Sequence, residues 1–265
     1  MIRRRDNPTT LITQTAHGWL AGQLAAHWGN DRFRLPIDPH EMMLTAANHD
    51  QGWWQWEQQP TVNAHHRPTD FLEMPVDDHL AIWRRSIACV ESQTRYGALL
   101  VSRHARFLNE RRVAARRDTH PDWEKLTAFC TEQREWESAR LDELRRTAFF
   151  APFCEPARYD AAFRLLQVFD WLSLLLCMDA ISESVVADVP GQSPDERVSI
   201  TLKPLTDGAL TVSPWVFGEP EFSVVVETRQ LPAETFAGDG DLQAAWQVAP
   251  RDLRVFAFRA ERGSK

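Results

Sequence analysis

The stretch EMMLTAANHDQGWWQWE, residues 41–57, decides how this chain is read. Asp38 and Pro39 stand just before it, an N-cap followed by proline at the first helical position, so a helix opens there. It is expected to run to Glu57, because Pro60 and a polar stretch follow. In its middle stand His49 and Asp50. Burying an imidazole and a carboxylate among apolar residues is costly unless each meets a partner or a cation. Adjacent helical residues point about 100° apart. The pair can share one cation only if the helix meets the site end-on or other helices complete it, so further ligands must come from elsewhere in the chain.

Helices on both sides offer them. Thr13–Trp28 places apolar residues at 16, 20, 24 and 28 on one face and carries His17. A third helix starts at Asp77–Asp78 with His79, and a fourth, ALLVSRHARFLNERR (98–112), contains His104. Pro121–Arg146 reads as a charged amphipathic helix, with Trp123, Phe129 and Trp136 in its stripe. Tyr159–Ala180 is apolar nearly all round and should be the most buried helix. Asp170 is the only acid between Ala161 and Met178, and an isolated acid there is rarely buried without a partner. Between the second and third helices, residues 58–77 hold three prolines and no clear period, which suggests a long functional loop.

Past residue 185 the character changes. Short β-branched runs at 198–202, 209–213, 222–231 and 253–260 are punctuated by prolines. The expected fold is therefore mainly α: a helical domain over 1–187, and a small antiparallel β appendage over 188–265 packed on it. The appendage would serve substrate capture or a homodimer equally well.

Composition bounds the function. The chain has 265 residues, 43% hydrophobic and 25% charged, the balance of a water-soluble globular protein. Its net charge is −7 with no basic block, which argues against nucleic acid as a partner. No run approaches the ~20 apolar residues of a membrane span, and no secretory segment is recognisable. Four scattered cysteines without a CxxC pair then read as reduced thiols of a cytoplasmic protein. Eleven Trp and 14 Phe against two Tyr hint at an aromatic-lined pocket.

The order His17, His49–Asp50, His79, His104, Asp170 resembles the HD-domain superfamily of metal-dependent enzymes, named for the same dipeptide on an all-helical scaffold, over residues 10–185. The strings HGWLAGQLAAHWG, AANHDQGWWQWE, VSRHARFL and FDWLSLLLC also look like a bacterial HD-like family labelled a domain of unknown function. The resemblance implies an HD-like helical bundle in which His17, His49, Asp50 and Asp170 bind one metal. His79 and His104 would bind a second, with Asp50 bridging. The implied cofactor is two divalent transition-metal ions, iron or manganese first, with zinc, nickel or cobalt as alternatives. Read one at a time, His17 is as well explained as a satisfied core residue, and His79, beside two aspartates, as a cap.

The implied activity is hydrolysis of a phosphate ester or related small molecule by a metal-bound hydroxide, Asp50 bridging the ions. The chain departs from the superfamily in two places. Trp53 stands where many HD phosphohydrolases carry a charged residue, and Thr13 where cyclic-dinucleotide enzymes carry glutamate. That disfavours a cyclic-dinucleotide substrate and leaves Glu57, on the same helix, as a candidate acid–base group. Trp53 and Trp54 are candidates for an aromatic substrate wall. His65, His66 and Arg103 could touch a substrate anion. His27, His40 and His120 read as surface or cap positions. The six-residue set resembles the HD-like di-iron oxygenases equally well, and a non-catalytic metal- or ligand-binding module is the third alternative.

Overall fold

Thr13 begins the helical part of the molecule: its hydroxyl accepts a hydrogen bond from Ala16 N at 3.0 Å and caps helix α1, Gln14–His27. The computed structural model describes residues 1–4, 7, 9–116 and 122–261. His120 and Pro121 lie outside the described residues. Asp38 caps α2 (Pro39–Asn48), accepting from His40 N at 2.9 Å and Glu41 N at 3.2 Å.

The helix expected to reach Glu57 stops at Asn48. The chain turns through His49 and Asp50, makes one 3-10 turn at Gln51–Trp53, and resumes as the short α3, Trp54–Glu57. The cause is a tertiary contact at Gly52. Its N–H donates to Ser86 Oγ at 3.0 Å, and a Cβ there would stand 2.2 Å from the Ile82 carbonyl oxygen. Ile82 and Ser86 belong to α4, Val76–Glu91. The break puts His49 and Asp50 at a helix end, where their side chains need not diverge as they would along a helix.

Helices α5 (Arg95–Arg116) and α6 (Trp123–Arg145) pack beside α4 over an apolar cluster that includes Leu80, Trp83, Ala105 and Phe129. Helix α7 (Pro156–Cys177) is buried over most of its surface. The expected loop before α4 holds a 3-10 turn at Phe71–Glu73, closed by a capping box between Asp70 and Glu73.

The strands overturn the expected mainly α bundle with a small C-terminal antiparallel appendage; the chain is not all-α. About 52% of it is helical, and the rest is organised by a seven-stranded mixed sheet curled into a half-barrel. The strands are β1 (Ile2–Arg3), β2 (Thr10–Ile12), β3 (Ser184–Pro190), β4 (Arg197–Pro204), β5 (Leu210–Ser213), β6 (Glu221–Gln230) and β7 (Arg251–Arg259). Their order is β1-β2-β6-β7-β5-β4-β3, antiparallel except for the parallel β5–β7 pair. Helix α8 (Asp239–Val248) lies in the connection between β6 and β7.

Two features hid this sheet. Strands β1 and β2 are too short to show a period, and they join the sheet by pairing across more than 200 residues, Thr10 with Gln230. On the same side of β6, Gln23 of α1 takes the place of a strand. Its amide donates to Val225 O at 2.8 Å and accepts from Val225 N at 3.0 Å. One apolar core runs through both layers, from Leu24 and Phe169 on the helices to Val212, Val224 and Phe258 on the strands. Among the described residues no helix is long and apolar enough to cross a membrane.

Candidate metal centre

Three helices deliver four ligand-type side chains to one point. His17 comes from the first turn of α1, His49 and Asp50 from the end of α2, and Asp170 from α7. Ligand atoms of His17, His49 and Asp50 lie within 4.8 Å of one another. Asp170 Oδ1 is 3.1 Å from His17 Nε2 and 3.5 Å from His49 Nε2. Asp50 Oδ2 is 3.9 Å from His17 Nε2 and 3.6 Å from His49 Nε2. Both imidazoles are fully buried.

Which ring nitrogen faces the cluster follows from the partner of the other. His49 Nδ1 is 2.7 Å from the Ala46 carbonyl oxygen, which can only accept, so Nδ1 carries a proton. His17 Nδ1 is 2.9 Å from Ser173 Oγ, and that hydroxyl spends its single proton on the Asp170 carbonyl oxygen at 2.9 Å. His17 Nδ1 must therefore donate as well. Both rings aim Nε2 at the carboxylates, the orientation that second partners impose on metal-binding histidines.

The electrostatics match that geometry. Burial works to raise the Asp170 carboxyl, but the imidazoles of His104, His17 and His49 gathered around it outweigh that and hold the group well below its ordinary range. Burial works to lower His49, yet the charges of Asp50 and Asp170 prevail and lift it to about 9. Among the described residues, His49 Nε2 and Asp50 Oδ1 are nonetheless buried with no well-formed hydrogen bond. Such orphaned atoms are costly in a closed site, and a cation among them would satisfy both.

The remaining candidates are spread around this point. His104 Nε2 is 3.3 Å from Asp170 Oδ2, so it joins the cluster through that carboxylate. His79 stands apart, its ring 5.5 Å from that of Trp53 and stacked on Trp83 at 5.7 Å. Its Nδ1 is 3.2 Å from Arg112 Nη1. Burial and the Arg112 charge push His79 down to about 3, so it is neutral. Glu57 is buried beneath α1, where Oε1 accepts from Gln14 N at 2.6 Å and burial raises its carboxyl.

A pocket of about 650 Å³ opens onto the cluster. Its walls include His17, Asp50, Trp53, His79, Trp83, His104 and Asp170. Trp54, His65, His66 and Arg103 lie outside it. Trp54 is 56% exposed. His66 Nδ1 meets the Phe236 carbonyl oxygen at 3.2 Å, and His65 N donates to Asn63 in the same turn. Arg103 pairs with Asp160 at 2.7 Å and lies over the rings of Tyr159 and Phe163.

Sequence reasoning passed over Ser173, Gln14, Arg111 and Arg112. Spacing held a signal for all four. Ser173 is one turn after Asp170, and Arg111 and Arg112 are two turns after His104 on the same helix face. Gln14, one turn before His17, lines the pocket, and among the described residues its buried Oε1 has no partner.

No curated protein and no solved structure matches this chain. The family model described as "Protein of unknown function (DUF3891)" matches residues 1–233. With most of its length covered by that match, the chain belongs to the DUF3891 family.

Proposed function

We propose that this chain is a metal-dependent hydrolase of the HD type that acts on a phosphate ester. The observation that carries the reading is the convergence of His17, His49, Asp50 and Asp170, with both imidazoles locked to present Nε2. Two nitrogens and two carboxylates suit manganese, iron, cobalt, nickel or zinc better than calcium. Bound there, the ion would polarise a phosphoryl oxygen and acidify a water.

The chain's own residues supply the rest. Ser173 and the Ala46 carbonyl hold the two rings, so little reorganisation accompanies binding. His104 Nε2 steadies the outer oxygen of Asp170. Trp53 and Trp83, both nearly fully buried, keep water away from one side of the pocket and strengthen every charge interaction within it. His79, facing Arg112 instead of the carboxylates, favours a single tightly held ion over two.

The test is hydrolysis of 4-nitrophenyl phosphate by chelator-stripped protein reloaded separately with Mn²⁺, Fe²⁺ and Zn²⁺. Activity should return with at least one ion and be lost in Asp50→Asn. Oxygen uptake by the iron form without ester hydrolysis would instead assign the chain to the oxygenase class.

A further inference from the structure

The pocket is electrically two-ended. One end holds the carboxylates of Asp50 and Asp170, and Arg111 and Arg112 line the same cavity. Contacts in succession separate the two ends. His104, beside Asp170, meets the edge of Trp83 at 5.7 Å, and Trp83 stacks on His79 at 5.7 Å. His79 Nδ1 then lies 3.2 Å from Arg112 Nη1. Along α5 the arginines follow His104 by two helical turns, a rise of about 10–12 Å. Their backbone thus stands about two turns beyond the residue that meets Asp170.

Arg112 also fixes the role of His79. A guanidinium has only donors, so His79 Nδ1 must accept, and the neutral ring carries its proton on Nε2. Among the described residues no acceptor takes that N–H. His79 thus offers a second donor at the arginine end, and in this tautomer it has no lone pair on Nε2 for a metal. Between the ends the wall is aromatic, formed by Trp53 and Trp83, with the half-exposed Trp171 at the rim.

Resting on the hydrolase reading above, we propose that the substrate is doubly anionic: a phosphate ester whose flat, apolar body carries a second anionic group, received by Arg112, Arg111 and His79. The phosphate faces Asp50 and Asp170. The body lies against Trp53 and Trp83, and a remote carboxylate or phosphate takes the charge-assisted hydrogen bonds of the arginine end.

Two non-hydrolysable probes test this by calorimetry on metal-loaded protein: phenylphosphonate, and 4-phosphonobenzoate, which adds a carboxylate across the ring. The second should bind about tenfold or more tightly, the value of a charged hydrogen bond. Arg112→Met should abolish that preference while leaving phenylphosphonate affinity and metal content unchanged; Arg111→Met should reduce it. Equal affinity for the two probes in the wild type would overturn the second subsite and leave the hydrolase reading standing. Failure of both probes to bind protein that retains its metal would also overturn it. Absence of metal from the reloaded wild type would instead sink the hydrolase reading on which the subsite rests.

Discussion

Ser173 Oγ accepts from His17 Nδ1 at 2.9 Å while donating its own proton to the Asp170 carbonyl oxygen at 2.9 Å. One hydroxyl, one turn beyond Asp170, thus sets the tautomer of a ring on another helix. Ser173→Ala should leave the fold intact at a cost of about 1 kcal/mol. It should weaken metal binding about 10–100-fold, as the loss of an outer-shell partner does. Chelator competition on the purified variant measures the affinity, and an unchanged affinity would remove Ser173 from the site.

Gly52 sets the break that brings His49 and Asp50 together. A Cβ at this position would stand 2.2 Å from Ile82 O and 2.5 Å from Ser86 N, both main-chain atoms that cannot swing aside. Gly52→Ala should cost about 3 kcal/mol, the upper part of the range for overpacking. That corresponds to a fall of about 10 °C in Tm. Metal content should fall with it, because Asp50 is two residues away. Thermal unfolding followed by circular dichroism checks the first effect.

Much of the site was legible in the sequence because its residues are out of place chemically. An acid inside FDWLSLLLC and a His-Asp pair inside an apolar stretch each demand a partner, and the partners proved to be one another. The break after Asn48 was not legible. It depends on Ile82 and Ser86, some 30 residues away, pressing on Gly52. Nor was the sheet, whose first strands have two and three residues and find their place only through Gln230 and Arg229. Arg111 and Arg112 were passed over although their spacing puts them on the His104 face, because only the position of His79 shows that this face lines a pocket.

Glu57 anchors the start of α1 through Gln14 N at 2.6 Å, and its own carbonyl oxygen accepts from Trp246 Nε1 at 2.8 Å. Glutamine at this position retains an acceptor for Gln14 N. Glu57→Gln should therefore keep ester hydrolysis within about threefold of wild type, whereas removing a true proton donor costs about 100-fold or more. Steady-state kinetics on the variant decide between the two roles.

His79 makes stability depend on pH. Its folded value of about 3 lies below the ordinary 6.5, because burial and then Arg112 disfavour the charged ring. The unfolded chain binds the extra proton first. The contribution is complete above pH 6.5 and declines as pH falls from there towards 3. By pH 5 the loss amounts to about 2 kcal/mol. Urea unfolding of wild type and His79→Phe at pH 7 and pH 5 should show the wild type losing more stability, by about that amount. Parallel losses in the two proteins would contradict a neutral, half-buried His79.

The most direct test of the metal centre is elemental analysis of the purified protein beside Asp50→Asn and Asp170→Asn, with near-ultraviolet circular dichroism to confirm that each variant is folded. The account predicts about one transition-metal ion per wild-type chain, and less than about a tenth of that in either folded variant. A wild type that takes up no manganese, iron or zinc, or folded variants that retain the full complement, would contradict it.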